Sequence, residues 1–135
     1  TTGNTITVNH NLGSVPGCII YKSSANSSNW YVWHRSLADE DYLKLESSAA
    51  ASDNNYSIAA TSTTFSLRAG FNISANLGSC IAYLFAHDAG GFGASGSDNV
   101  ISCGGYTGTG AAGNAISLGY EPQWILIKRT DSTGN

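Results

Sequence analysis

The sequence predicts an all-β protein, an antiparallel β-sandwich, and three features of the chain predict it. Short stretches either alternate polar and apolar residues or run apolar on both faces, and small polar turns separate them. No window carries the helical period over two turns or more. Composition agrees: 41% of residues are hydrophobic, 11% are charged and 16 are Gly, which suits short strands joined by tight turns. Disorder needs low hydrophobicity and high net charge, and a formal charge of −3 supplies neither.

The elements follow in order. Residues 4–8, NTITV, alternate and read as a first strand, and the Asn, Gly and Pro of 9–17 read as a turn. CIIYK, 18–22, is apolar on both faces, as a strand covered on both sides must be. WYVWHR, 30–35, is aromatic and β-branched, and YLKLE, 42–46, alternates again. Residues 47–62 lack a sustained period and read as loop with one short strand. TFSLR, 64–68, puts Phe65 and Leu67 on one face. CIAYLFA, 80–86, is the longest apolar run and is expected to be a buried central strand. NVISC (99–103), NAISL (114–118) and QWILIK (123–128) are the last expected strands.

The chain also matches itself. Leu12, Gly13, Pro16, Ile19 and Lys22 align with Leu118, Gly119, Pro122, Ile125 and Lys128, and GNTITV at 3–8 resembles GNAISL at 113–118. A spacing this long points to tandem whole domains, not to a solenoid of small units. The expected organisation is a complete β-sandwich over 1–88, a Gly-rich linker over 89–98, and the opening strands of a second, incomplete copy over 99–135. The first residues, TTGNT, read as an internal start.

Charge and cysteine usage narrow the partners. Six Lys and Arg leave no basic face for phosphate, so no nucleic-acid partner is expected. No apolar run is long enough for a membrane-spanning helix. Cys18, Cys80 and Cys103 cannot all pair within one chain and read as reduced thiols in a reducing cytosol. None stands within metal-ligand spacing of another Cys or a His, so no metal or other cofactor is expected.

Candidate chemistry is thin. Gly91, Gly93 and Gly96, and again Gly108, Gly110 and Gly113, fit G-x-G-x-x-G, but β-like runs follow where a dinucleotide fingerprint needs a helix. Asp39, Glu40 and Asp41 form an acidic turn, whereas glycoside hydrolysis needs carboxylates facing each other across a cleft. His10 and the pair His87-Asp88 read as hydrogen-bonded residues at strand–loop junctions. No catalytic residue is assigned, and no enzyme is expected. On strand 30–35, alternation with Trp30, Val32 and His34 inward turns Tyr31, Trp33 and Arg35 outward. Those three, with Trp124, are the binding or interface candidates. They suit a contact with a neighbouring subunit or stacking on sugar rings. His34 reads as a polar plug at the sheet end. Lys22 and Lys128 read as solvated strand ends with snorkelling stems.

The order of motifs resembles a known repeat. It runs Gly13, Pro16, Ile19, Ile20, Lys22; then Trp30, Val32, His34, Ser36, Leu37; then Tyr42, Leu43, Leu45; then Asn72, Ser74, Ile81, Ala82, Tyr83, Phe85, Ala86. With the connector FAHDAGGFGASGSDNVISCGGYTGTG, this series resembles a repeat domain in virion proteins of marine tailed phages. The pair Leu77-Gly78 departs from it, where a shorter Gly turn is expected. The resemblance implies a non-enzymatic structural component of a virion: a fibre, appendage or decoration protein of tandem sandwich domains, jelly-roll or lectin-like. It implies assembly in the host cytoplasm and self-association or contact with other virion proteins. The alternative is a carbohydrate-binding module that contacts a host-surface glycan.

Overall fold

The computed structural model describes residues 5–25, 27–38, 40–53, 58–68 and 79–133. Among them the protein is all-β, with eight strands in two antiparallel sheets and no helix. The strands are β1 (Thr5–Asn9), β2 (Pro16–Ser23), β3 (Tyr31–His34), β4 (Asp41–Lys44), β5 (Ser52–Asp53), β6 (Ile58–Ala60), β7 (Thr64–Arg68) and β8 (Cys80–Ala86). One sheet has the order β1-β7-β6 and the other β5-β4-β3-β2-β8. Residues 47–62 hold two short strands where one was expected. The motif residues Asn72 and Ser74 and the pair Leu77-Gly78 lie outside the described residues.

Register explains the core. β2 and β3 pair Ile19 with Trp33, Ile20 with Val32 and Tyr21 with Tyr31, and β3 and β4 pair Val32 with Leu43. Directly opposed residues share a face. Ile19, Tyr21, Tyr31 and Tyr42 therefore form one surface of the five-stranded sheet, and they meet Phe65 and Leu67 of β7 in a single apolar cluster joining the two sheets. Tyr31 stacks on Tyr21 at 5.5 Å between ring centroids and meets Tyr42 edge-on at 5.5 Å. The opposite surface carries Ile20, Val32 and Leu43, packed with Trp30, Leu37, Ala51 and Phe85.

Both faces of β3 are thus covered, which corrects the outward placement of Tyr31. Alternation assigns one wet face only when one face is wet, and a central strand with both faces packed reads apolar throughout. β8 needs the reverse correction. It is an edge strand in a five-stranded order, and Ile81 and Tyr83 are exposed. A long apolar run does not by itself distinguish the centre of a sheet from its rim.

Residues 99–103, 114–118 and 123–128 join no ladder among the described residues, against expectation. Strand propensity is local, whereas a strand exists only where a second backbone offers its N–H and C=O groups. Local ties hold the segment down instead. Asp88 N–H donates to Ile101 O (2.9 Å), Ala51 N–H donates to Thr130 O (2.9 Å), and Lys128 Nζ donates to Ser47 O. Lys128 is therefore tethered, and Lys22 likewise donates to Ser28 O (2.6 Å) and lies over the Trp30 ring. Neither is a freely solvated end.

Residues 89–98 form a closed turn. Gly91 N–H donates to Gly96 O (2.9 Å), Asp98 N–H to Phe92 O (3.0 Å) and Gly90 N–H to Asn99 Oδ1 (2.8 Å). Gly93 sits at φ +73°, a conformation that strains an L side chain, and a Cβ there would push the Asp98 carboxylate aside. No helix of the described residues is long and apolar enough to cross a membrane.

Candidate functional site

The sheet builds a cleft where β2 begins and β3 and β8 end. Ser14, Val15, Pro16, Trp33, Arg35 and His87 line about 360 Å³ of space. Pairing brings these distant stretches together: β2 lies between β3 and β8, with Cys18 opposite His34 on one side and Pro16 opposite Ala86 on the other. A register shift between Pro16 and Cys18 bulges β2 there, and Arg35 N–H closes on Gly17 O at 3.0 Å. Gly17 is required by packing. A Cβ at this position would stand 2.7 Å from the Cβ atoms of both His87 and Cys103.

Each wall has its own chemistry. Trp33 is half-buried, with part of its indole packed against the Tyr-rich core cluster. Arg35 is exposed and forms no ion pair among the described residues. Ser14 Oγ is buried without a hydrogen-bond partner. Cys103 N–H donates to His87 Nδ1 at 3.1 Å, so the neutral ring carries its proton on Nε2, 3.5 Å from Asp88 Oδ2. Asp88 also accepts a hydrogen bond from Ser102 Oγ. His87 and His10 are therefore the bonded junction residues expected; His10 Nδ1 accepts from Leu12 N–H (3.2 Å).

Burial pushes three groups near the cleft, His34, Cys18 and Cys103, toward their neutral forms. Burial, then the neighbouring Arg35 guanidinium, lowers the His34 imidazole, whose Nδ1 accepts from Ser36 N–H at 3.1 Å as a plug at the sheet end. Burial, with the Cys103 thiol adding to it, raises Cys18 to about 12. Burial also raises Cys103, which Arg35 opposes and Asp88 reinforces. Both shifts favour the protonated thiol over the nucleophilic thiolate. No group of three or more His, Cys, Asp or Glu side chains that could hold a metal occurs among the described residues.

Of the four sequence-predicted candidates, the structure unites two. Trp33 and Arg35 share the cleft; Tyr31 is in the core at 9% exposure; Trp124 stands elsewhere, on the unpaired segment. Ser14, Val15, Pro16 and His87 were missed as cleft residues. They come from segments separated along the chain, and no local spacing marks their convergence.

Trp124 belongs to the second notable feature. Gly13 and Gly119, aligned by the internal match, share the left-handed conformation at φ +74° and +79°, where L side chains are strained. The matched strands then diverge. Ile19, Ile20 and Tyr21 are 0%, 8% and 2% exposed, whereas their counterparts Ile125, Leu126 and Ile127 are 60%, 49% and 63% exposed.

A family model, a domain of unknown function designated DUF7483, matches residues 1–135. The chain belongs to the DUF7483 family. The DUF7483 match runs unbroken across the Gly-rich turn at 89–98 and takes in the cleft and the unpaired segment alike. No curated protein and no solved structure matches the chain.

Proposed function

We propose that this DUF7483 protein is a non-enzymatic structural component of a phage virion, a fibre, appendage or decoration protein. In this reading it is built from tandem β-sandwich units that self-associate after synthesis in the host cytoplasm. The resemblance of its motif series to virion repeat domains favours that setting. One observation carries the self-association: an apolar segment that repeats the central strand β2 lies unpaired and exposed at Trp124–Ile127.

Its position supports a head-to-tail contact. Lys128 and Thr130 tie the segment beside residues 47–51, between β4 and β5, and these strands stand at the opposite side of the sheet from the β8 edge. No described strand lies on the outer side of β8. An apolar segment on one side and a strand edge on the other make a contact that propagates without closing. Full burial of an exposed apolar side chain is worth about 1.5–3 kcal/mol, and Trp124–Ile127 are 49–71% exposed, so covering all four contributes well under roughly 12 kcal/mol before costs. Association itself costs about 4–15 kcal/mol, so one such contact is weak and an array of them is stable.

Light scattering across a concentration series tests this. Association that grows with concentration and is lost in Leu126→Asp, with the fold intact by circular dichroism, is expected. A monomer at every concentration, or a Leu126→Asp variant that associates unchanged, refutes the self-association. The mass of the intact polypeptide checks the tandem arrangement, and a native chain of only 14.0 kDa refutes it. Immunogold labelling of purified particles checks the virion setting.

A further inference from the structure

We propose that the cleft between Trp33, Arg35 and His87 binds a carboxylated six-membered sugar ring, such as a terminal hexuronate. The inference deepens the carbohydrate-binding alternative and does not depend on self-association. Three observations carry it. Arg35 is an exposed guanidinium with no carboxylate partner among the described residues, in a chain that has nine Asp and Glu for its six Lys and Arg. A guanidinium presents a planar fork that matches a carboxylate with two parallel hydrogen bonds.

The second observation is the indole of Trp33, which forms part of the cleft wall while its other contacts hold it against the core cluster. A wall fixed in this way offers an apolar ring surface at little entropic cost, which suits the C–H face of a sugar. The third is polar capacity beside that wall. Ser14 Oγ has no protein partner, and the His87 Nε2–H is engaged only by a long 3.5 Å approach to Asp88. The His87 Nε2–H is available to a ring hydroxyl, and Cys103 N–H holds His87 in that tautomer, whereas the buried Ser14 Oγ lies beneath the cleft surface. The volume, about 360 Å³, falls at the small end of ligand sites and accommodates one ring with its substituents.

The chemistry selects among ligands. Asp88, beyond His87, disfavours a doubly charged phosphate more than a single carboxylate. A neutral hexose satisfies the indole and the hydroxyl partners but leaves Arg35 unpaired. Discrimination between the two sugars therefore rests on Arg35 and amounts to roughly ten-fold or more, the usual worth of a hydrogen bond to a charged group.

The test is a titration of the whole chain with methyl glucuronide, methyl glucoside and acetate, followed by the indole N–H resonance of Trp33. That resonance is assigned by its loss in Trp33→Phe. The expected result is a saturable shift with glucuronide, at least ten-fold weaker binding of glucoside, and a preference abolished in Arg35→Gln. Arg35 is exposed, so this variant keeps the fold, and circular dichroism verifies it. Equal binding of the two sugars overturns the proposal, as does the absence of a saturable shift at tens of millimolar. Acetate competing as well as glucuronide overturns the ring assignment. A glucuronide preference that survives Arg35→Gln overturns the role of the guanidinium.

Discussion

Replacing Tyr31 with Ala tests the inversion of strand β3 most directly. If Tyr31 pointed to solvent, its removal would shift stability by no more than about 0.5 kcal/mol, as for ordinary surface substitutions. The structure instead buries it to 9% exposure between Tyr21 and Tyr42, with both ring centroids 5.5 Å away. Truncating a buried aromatic costs about 3–5 kcal/mol, and each aromatic pair accounts for roughly 0.5–1.5 kcal/mol beyond area burial. The expected loss is therefore about 3–5 kcal/mol, a large part of the roughly 5–15 kcal/mol available to a domain. Urea unfolding followed by far-ultraviolet circular dichroism reads it. With m between about 1 and 3 kcal/mol/M, the midpoint falls by at least about 1 M. A loss below about 0.5 kcal/mol with unchanged m refutes the placement of Tyr31 in the inter-sheet cluster.

Three further outcomes follow from particular sites. Gly13→Ala loses about 1–2 kcal/mol in the same assay, because its φ of +74° strains an L residue, and an unchanged midpoint counts against that turn. Gly119→Ala, at the matched φ of +79° but in a segment that joins no ladder among the described residues, loses less than Gly13→Ala in the same assay, and an equal loss counts against the segment's looser attachment. In timed alkylation at pH 8 with mass spectrometry, Cys80 is exposed and labels first, while Cys18, raised to about 12 by burial, labels last; early modification of Cys18 contradicts its environment. His34 gives a pH dependence. Burial lowers its pKa in the folded state, so the unfolded chain binds the proton more readily, and stability falls as pH drops below about 6.5. His34→Gln flattens that slope in thermal melts, and an identical slope in the variant refutes the assignment.

Much of the fold was legible because its signals are local. β1, β2, β3, β4, β7 and β8 fall on the stretches that their alternation or apolar runs mark. What local pattern does not encode is who sits beside a strand. CIIYK and CIAYLFA are similar in composition, yet β2 is central and β8 is an edge. QWILIK repeats the pattern of β2 and forms no ladder, because the pattern states a preference and the ladder needs a partner. The cleft shows the same limit. Trp33 and Arg35 were readable as a pair two residues apart on one strand, whereas Ser14 and His87 join them only through pairing of β2 with β3 and β8.

The cleft and the unpaired segment also share a joint. His87 lines the cleft, and its ring accepts the N–H of Cys103, within the stretch after β8 that joins no ladder among the described residues. Asp88 N–H, bonded to Ile101 O, and its carboxylate, bonded to Ser102, fasten the neighbouring residues. Under the two proposals above, a neighbour at Trp124–Ile127 bears on the same chain that is held at 101–103, and a ring in the cleft bears on His87. If either event moves this joint, linkage demands that each changes the affinity of the other by the same factor. Gly17 decides how stiff the joint is, since a methyl there meets both His87 and Cys103 at 2.7 Å. Gly17→Ala must therefore displace one of the two, and whether sugar binding, association or both respond shows which side of His87 yields.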